Sequence, residues 1–253
     1  MAYIETFRTR FGKDIVAEFL PPTNTSNKVA IITTGAPGYP GGKEELMTLL
    51  AKKGYFVIVP RYRGTWESDG TFLEFSPDED VVIIMDELPI GFRDIWSSTE
   101  YRIEEPEIYL IGGSFGGAAA LLASRDERVK KVATISAVTD WREQKHTVEP
   151  LDMMSSYVPQ AFGPMYRAEP SIWNKLAVGD FYNPTHEQDS IDGKKLLLIH
   201  AKDDRVVHAE PAERFANHVG AKFVLLPTGG HMGAGSAREP HIWKIIETFF
   251  TQK

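Results

Sequence analysis

Two rhythms of apolar residues alternate along this chain. Short, nearly unbroken runs at 28–34 (KVAIITT), 55–60 (YFVIVP), 131–138 (KVATISAV), 196–201 (LLLIHA) and 223–227 (FVLLP) are what strands buried on both faces of a parallel sheet require. Between them lie stretches with helical spacing. GGKEELMTLLAKKG (41–54) closes on Lys52, Lys53 and Gly54, cations followed by a residue suited to a helix stop. Pro77 to about Ser98 is predicted as a long helix broken or kinked at Pro89, where the ring removes a backbone donor. IWKIIETFF (242–250) is a final amphipathic helix. Ahead of these, YIETFR (3–8) and DIVAEFL (14–20) alternate as an antiparallel hairpin does, turning at Gly12-Lys13. Strand and helix taking turns in this way predict an α/β fold with a mostly parallel central sheet and helices on both faces.

The rhythm stops between Asp140 and Lys194, a stretch far longer than an ordinary connection. It is rich in Met, Trp, Tyr, Phe and Pro, with helices predicted near 150–158 and 169–178. We read one domain over 1–253, with a helical cap or lid inserted at about 141–193 above one end of the sheet. The apolar side chains of the insertion can build its own core, and collectively they can also line a pocket. Met153, Tyr157, Phe162 and Trp173 are the candidate pocket residues here, with Tyr39 added from an earlier loop.

Candidate chemistry sits at the ends of the predicted strands. Gly112-Gly113-Ser114-Phe115-Gly116 reads as G-x-S-x-G between a strand-like EIYLI (107–111) and a helix-prone AAALLAS (118–124). A tight strand-to-helix turn exposes the serine oxygen, and glycines make room where the two elements crowd together. A serine hydroxyl is a weak nucleophile that needs a positioned base, itself oriented by an acid. Both follow in the order this arrangement uses: an acid loop, Lys202-Asp203-Asp204-Arg205-Val206-Val207, then Thr228-Gly229-Gly230-His231-Met232-Gly233. The candidate triad is Ser114, Asp204 and His231, with Asp203 and Asp140 as alternative acids. An oxyanion would be met by the backbone N–H of Phe115 and by a second N–H from Thr34-Gly35-Ala36-Pro37-Gly38. Proline has no N–H, so Ala36 is the natural donor.

Composition narrows the alternatives. The chain of 253 residues has a formal net charge of −7 and no Lys/Arg-rich stretch, which speaks against a nucleic-acid surface. The absence of cysteine removes disulfide frameworks, thiolate metal sites and cysteine nucleophiles. No apolar run reaches membrane-span length, and MAYIETFRTR has no signal-like apolar core, so a cytoplasmic protein is expected. Gly42-Lys43 does not complete a phosphate loop, and neither G-x-G-x-x-G after a strand nor H-E-x-x-H occurs. The neighbouring His200, Asp203, Asp204 and His208 read as strand-end and helix-cap residues rather than a metal site. No cofactor or metal is expected. The oligomeric state stays open, a homodimer included.

GGSFGG (112–117), AVTDW (137–141), LLLIHAKDDRVV (196–207) and GGHMG (229–233) together resemble the catalytic domain of the prolyl oligopeptidase family, within the α/β-hydrolase fold. TGAPG (34–38) is similar to that family's oxyanion segment, and PRYRG (60–64) to the stretch after its fourth strand. The resemblance runs from Lys28 onward. It implies the triad Ser114, Asp204 and His231, and a small-molecule ester or short peptide as substrate. The sequence shows no β-propeller, the part that restricts this family to oligopeptides, which favours an ester hydrolase with a carboxylesterase-like reaction. An aminopeptidase or acyl-peptide hydrolase is the alternative, and a non-catalytic ligand binder a more distant one.

Overall fold

The structure, a computed structural model, describes residues 6–252. A hairpin opens the chain: β1 (Phe7–Phe11) and β2 (Ile15–Leu20) pair antiparallel, with Phe7 opposite Phe19 and Phe11 opposite Ile15. Its first strand runs closer to the turn than the expected 3–8, and residues 3–5 lie outside the described residues. Gly12 and Lys13 both take positive φ at the turn. There follow β3 (Lys28–Thr33), α1 (Glu44–Lys52), β4 (Phe56–Pro60), α2 (Pro77–Glu87), β5 (Phe92–Arg93), β6 (Glu100–Tyr101), β7 (Glu107–Gly113), α3 (Phe115–Ala123) and β8 (Val129–Ile135). The remainder comprises α4 (Leu151–Phe162), α5 (Ile172–Val178), β9 (Leu196–Ala201), α6 (Ala209–Val219), β10 (Lys222–Leu226) and α7 (Pro240–Phe250).

Eight strands form one sheet in the order β1-β2-β4-β3-β7-β8-β9-β10, parallel from β4 onward. Alternation within each strand divides the core in two. In β3, Val29 and Ile31 join a cluster with Phe19, Ile84 and Leu121 under α2, α3 and α6. Ala30 and Ile32 join another with Leu46, Leu50, Trp243 and Ile246 under α1 and α7. A third cluster, centred on Phe72, Phe115, Trp141, Trp173 and Tyr182, lies where the β8–β9 segment meets α3. This segment holds a 3₁₀ turn at Trp141–His146, then α4 and α5.

One predicted element differs. The helix expected to run to about Ser98 ends at Glu87, and residues 92–101 form the two-stranded hairpin β5–β6. The capping box of Ser76 and Glu79, with Pro77 in the first turn, starts α2 as its sequence suggests. Its end is set by tertiary contacts. Gly91 adopts a φ of 117°, and Phe92 packs edge-on against Phe19 and Phe56, with ring centroids 5.4 and 5.7 Å apart. Asp94 then accepts the N–H of Ser97 at 2.7 Å and closes the hairpin turn.

Candidate active site

Ser114 sits between the last residue of β7 and the first of α3, with φ 53° and ψ −123°, a conformation that strains any residue with a Cβ. Glycines around it allow backbone to meet backbone. A Cβ on Gly112 would lie 2.6 Å from the Gly116 carbonyl oxygen, and one on Gly116 would collide with the Thr33 carbonyl. The turn is tied down from both sides: Ser114 N–H donates to the Ile135 carbonyl at 3.0 Å, and its own carbonyl accepts from Gly117 at 2.9 Å. The serine oxygen is thereby fixed at the carboxyl edge of the sheet.

His231 and Asp204 reach that oxygen from the loops after β10 and β9. Asp204 Oδ2 lies 2.9 Å from His231 Nδ1, and His231 Nε2 lies 3.0 Å from Ser114 Oγ. An ionised carboxylate only accepts, so Nδ1 carries the imidazole proton and Nε2 is left to accept from the serine hydroxyl. The Asp204 side chain is fully buried. Burial alone would raise its carboxyl pKa, but hydrogen bonds from His200, His231 and the Val207 N–H, with the charge of His231, hold it well below the ordinary carboxylate range. Its second oxygen accepts the N–H groups of Val206 and Val207 at 3.0 and 2.9 Å.

The other two candidate acids are engaged elsewhere. Asp203 accepts the Gly230 N–H at 2.8 Å and so braces the histidine loop. Asp140 accepts from Arg142 and from Asn183, at 2.7 and 3.3 Å. The backbone N–H groups of Ala36 and Phe115 find no acceptor among the described residues, although Phe115 is 1 % exposed. Buried donors of this kind ordinarily have a partner.

A cavity of about 720 Å³ opens over Ser114 and His231. Tyr39, Met153, Tyr157 and Phe162 line it. Trp173 does not. It is buried against Phe72 and lines instead a pocket of about 40 Å³ bounded by Ser114, Phe115, Val138 and Trp141. Glu67, in the loop between β4 and α2, pairs with Arg61 at 2.7 Å.

A profile of the prolyl oligopeptidase family matches residues 44–253. The chain belongs to the prolyl oligopeptidase family. Family membership and the sheet order place it among α/β-hydrolases. No curated protein matches it by sequence. Its fold is similar to that of a soluble variant of monoglyceride lipase from Saccharomyces cerevisiae, at 14% identity and a TM-score of 0.70, over 99% of this chain and 96% of that one. It is similar also to an esterase from Pyrococcus furiosus, at 16% identity and a TM-score of 0.68, over 97% of this chain and 89% of that one. With the acylaminoacyl peptidase of Pyrococcus horikoshii the TM-score is 0.61 at 16% identity, over 97% of this chain and 40% of that longer one. Among the described residues no helix is long and apolar enough to cross a membrane.

Several residues that brace the site were given no role there by the sequence. Ser136, at a φ of 50°, accepts the Met232 N–H at 3.2 Å and holds the loop just after His231. His200 Nε2 lies 2.8 Å from the Val207 carbonyl and 3.4 Å from Asp204 Oδ2. The 34–38 loop is braced by the Tyr62 hydroxyl, donating to the Thr34 carbonyl at 2.9 Å, and by Tyr166, whose oxygen accepts the Gly38 N–H at 2.8 Å. Tyr62 lies inside the family-like PRYRG stretch, so a signal existed for it. Nothing local marks Tyr166, which arrives from the β8–β9 segment.

Proposed function

We propose that this protein is a serine hydrolase that cleaves carboxylic esters through an acyl-enzyme. The reading is carried by one observation: a single imidazole lies within hydrogen-bond distance of Ser114 Oγ on one nitrogen and of a buried carboxylate on the other. In this reading Ser114 Oγ attacks the ester carbonyl as His231 Nε2 takes its proton. Asp204 holds the imidazole in the tautomer that leaves Nε2 free and stabilises the imidazolium that forms. The oxyanion accepts hydrogen bonds from Phe115 and Ala36, a role supported by their two unpartnered N–H groups. Collapse expels the alcohol, which receives the proton from His231. Water then attacks the acyl carbon, its proton passing to His231, and the carboxylic acid leaves as Ser114 is regenerated.

An ester substrate accords with the cavity, where Met153, Tyr157, Phe162 and Tyr39 offer apolar surface beside Ser114 for an acyl or alcohol group. The second reading, an aminopeptidase or acyl-peptide hydrolase, is favoured by the family itself. Short p-nitrophenyl esters and aminoacyl anilides, compared on the purified protein, separate the two. Ester turnover that disappears in Ser114→Ala, together with loss of fluorophosphonate labelling, is the expected result. Persistent labelling of that variant would move the nucleophile elsewhere, and preferential anilide cleavage would select the peptidase.

A further inference from the structure

The wall of the main cavity is chemically lopsided. Helix α4 contributes Met153, Met154, Tyr157 and Phe162, while Lys43 and Arg238, whose side chains both approach Gly235, and Ser236 contribute polar groups. Lys43 immediately precedes α1 and is half-buried. Its ammonium donates to the Gly41 carbonyl at 2.8 Å, and no carboxylate lies within ion-pair distance of it among the described residues. An ammonium has three donors, so two remain for a ligand. Arg238 differs, being paired with Glu45 at 2.9 Å. The Ser236 hydroxyl forms no hydrogen bond among the described residues. Among the described residues Glu149 is the only carboxylate lining this cavity; it also lines the small pocket bounded by Phe115 and Trp141, which neither Lys43 nor Arg238 lines.

Position relative to His231 decides which part of a substrate meets this cationic corner. The leaving alcohol collects its proton from His231 Nε2 and must therefore lie on the histidine side of Ser114. Ser236 and Arg238 sit on the 3₁₀ turn Ala234–Arg238 that directly continues the histidine loop. The smaller pocket beside Ser114 and Phe115 is not lined by His231 at all.

Resting on the ester-hydrolase reading, we infer that Lys43, with Ser236 lining the same cavity, is a specificity-determining anion site for the leaving group, so that the preferred substrates are esters whose alcohol portion carries a carboxylate or phosphate. Burial lowers the Lys43 ammonium pKa, with Glu44 and Glu18 opposing and Arg238 adding to the fall. A bound anion would offset that desolvation. Charge-assisted hydrogen bonds are among the stronger polar contacts available.

The test compares three acetate esters: methyl 4-acetoxybenzoate, which is neutral, 4-acetoxybenzoate, and 4-acetoxyphenyl phosphate. The quantity read is the ratio of kcat/KM for each anionic ester to that for the neutral one, which removes intrinsic reactivity when variants are compared with the parent. Lys43→Met should lower this ratio by about tenfold, and Lys43→Glu by more. Lys43→Arg, which keeps the cation, should hold it within about threefold. Lys43→Gln serves where the methionine variant does not fold. The ester whose ratio falls further identifies carboxylate or phosphate as the better fit. A ratio unchanged in Lys43→Met, with the neutral ester still cleaved by the parent, overturns the inference alone. Failure of the parent protein to cleave any of the three overturns the ester reading and the inference with it.

Discussion

The strand-to-helix turn at Ser114, the elbow, and helix α4 face the same cavity and are built on opposite plans. Every residue of α3 is buried, and the turn before it is packed so closely that glycines stand where even a methyl would collide. On α4 only Leu151, Met154 and Val158 are buried, while Met153 and Tyr157 stay about half exposed, at 53% and 51%. The contrast follows from what each must hold. In the proposed reaction a proton passing between Ser114 and His231 tolerates errors of a few tenths of an ångström, and the supports there are backbone hydrogen bonds and dense packing. Apolar contact with a substrate, the role proposed for Met153 and Tyr157, is non-directional, and flexible Met and amphipathic Tyr side chains suit it without a fixed geometry.

Substitutions can break this contrast. His231→Ala, at the rigid end, should lower kcat/KM by at least about 10⁴-fold while leaving the melting temperature nearly unchanged, read by ester assay and calorimetry side by side. Asp204→Asn should cost on the order of 10³- to 10⁴-fold, because the amide favours the wrong imidazole tautomer. Since the Asp204 carboxyl is held well below the ordinary range, it remains ionised through mildly acidic pH. The acid limb of the parent's rate profile, followed to about pH 5, should therefore belong to another group. Gly112→Val should destabilise by about 3 kcal/mol in a denaturant titration, as the added Cβ meets Gly116 and Ala120.

A finer test concerns Asp80 on α2, the helix packed against α3. Burial pushes its carboxyl pKa up to about 6 despite hydrogen bonds and charge from Arg63. The folded state then binds the proton more tightly than the unfolded chain. Asp80 therefore contributes stability that is fully present below its unfolded value and lost as pH rises through about 6. That loss amounts to about 3 kcal/mol. Asp80→Asn should flatten the fall in stability between about pH 4 and 6, measured against the parent; an identical slope would remove Asp80 as its source. The smallest effect is expected at the adaptable end. Tyr157→Ala should raise KM about three- to tenfold with kcat and melting temperature almost unaltered, and a large drop in kcat would mean that α4 is no mere contact surface.

Legibility in the sequence follows the same divide. The continuous apolar runs revealed the parallel strands because burial on both faces leaves no room for polar alternation, and G-S-F-G marked the elbow because few residues fit a turn that tight. The hairpin at 92–101 was hidden, because its end-state depends on Phe92 entering a ring cluster formed by residues far away in the chain. The sequence favoured Asp204 but left Asp203 and Asp140 open as alternative acids. Their partners differ in space: Arg142 and Asn183 for Asp140, the Gly230 N–H for Asp203, and the His231 ring for Asp204.

Local chemistry, then, was enough for this chain to declare its α/β layering, its strained serine turn and a histidine set among glycines, since periodicity and steric allowance act over a few neighbouring residues. Tertiary structure alone decided which carboxylate faces His231, that Tyr166 reaches across to brace the Gly38 loop, and that Lys43 shares a cavity wall with Ser114. Those are contacts between segments far apart in the chain, and only the closing of the sheet and the packing of its loops bring them together.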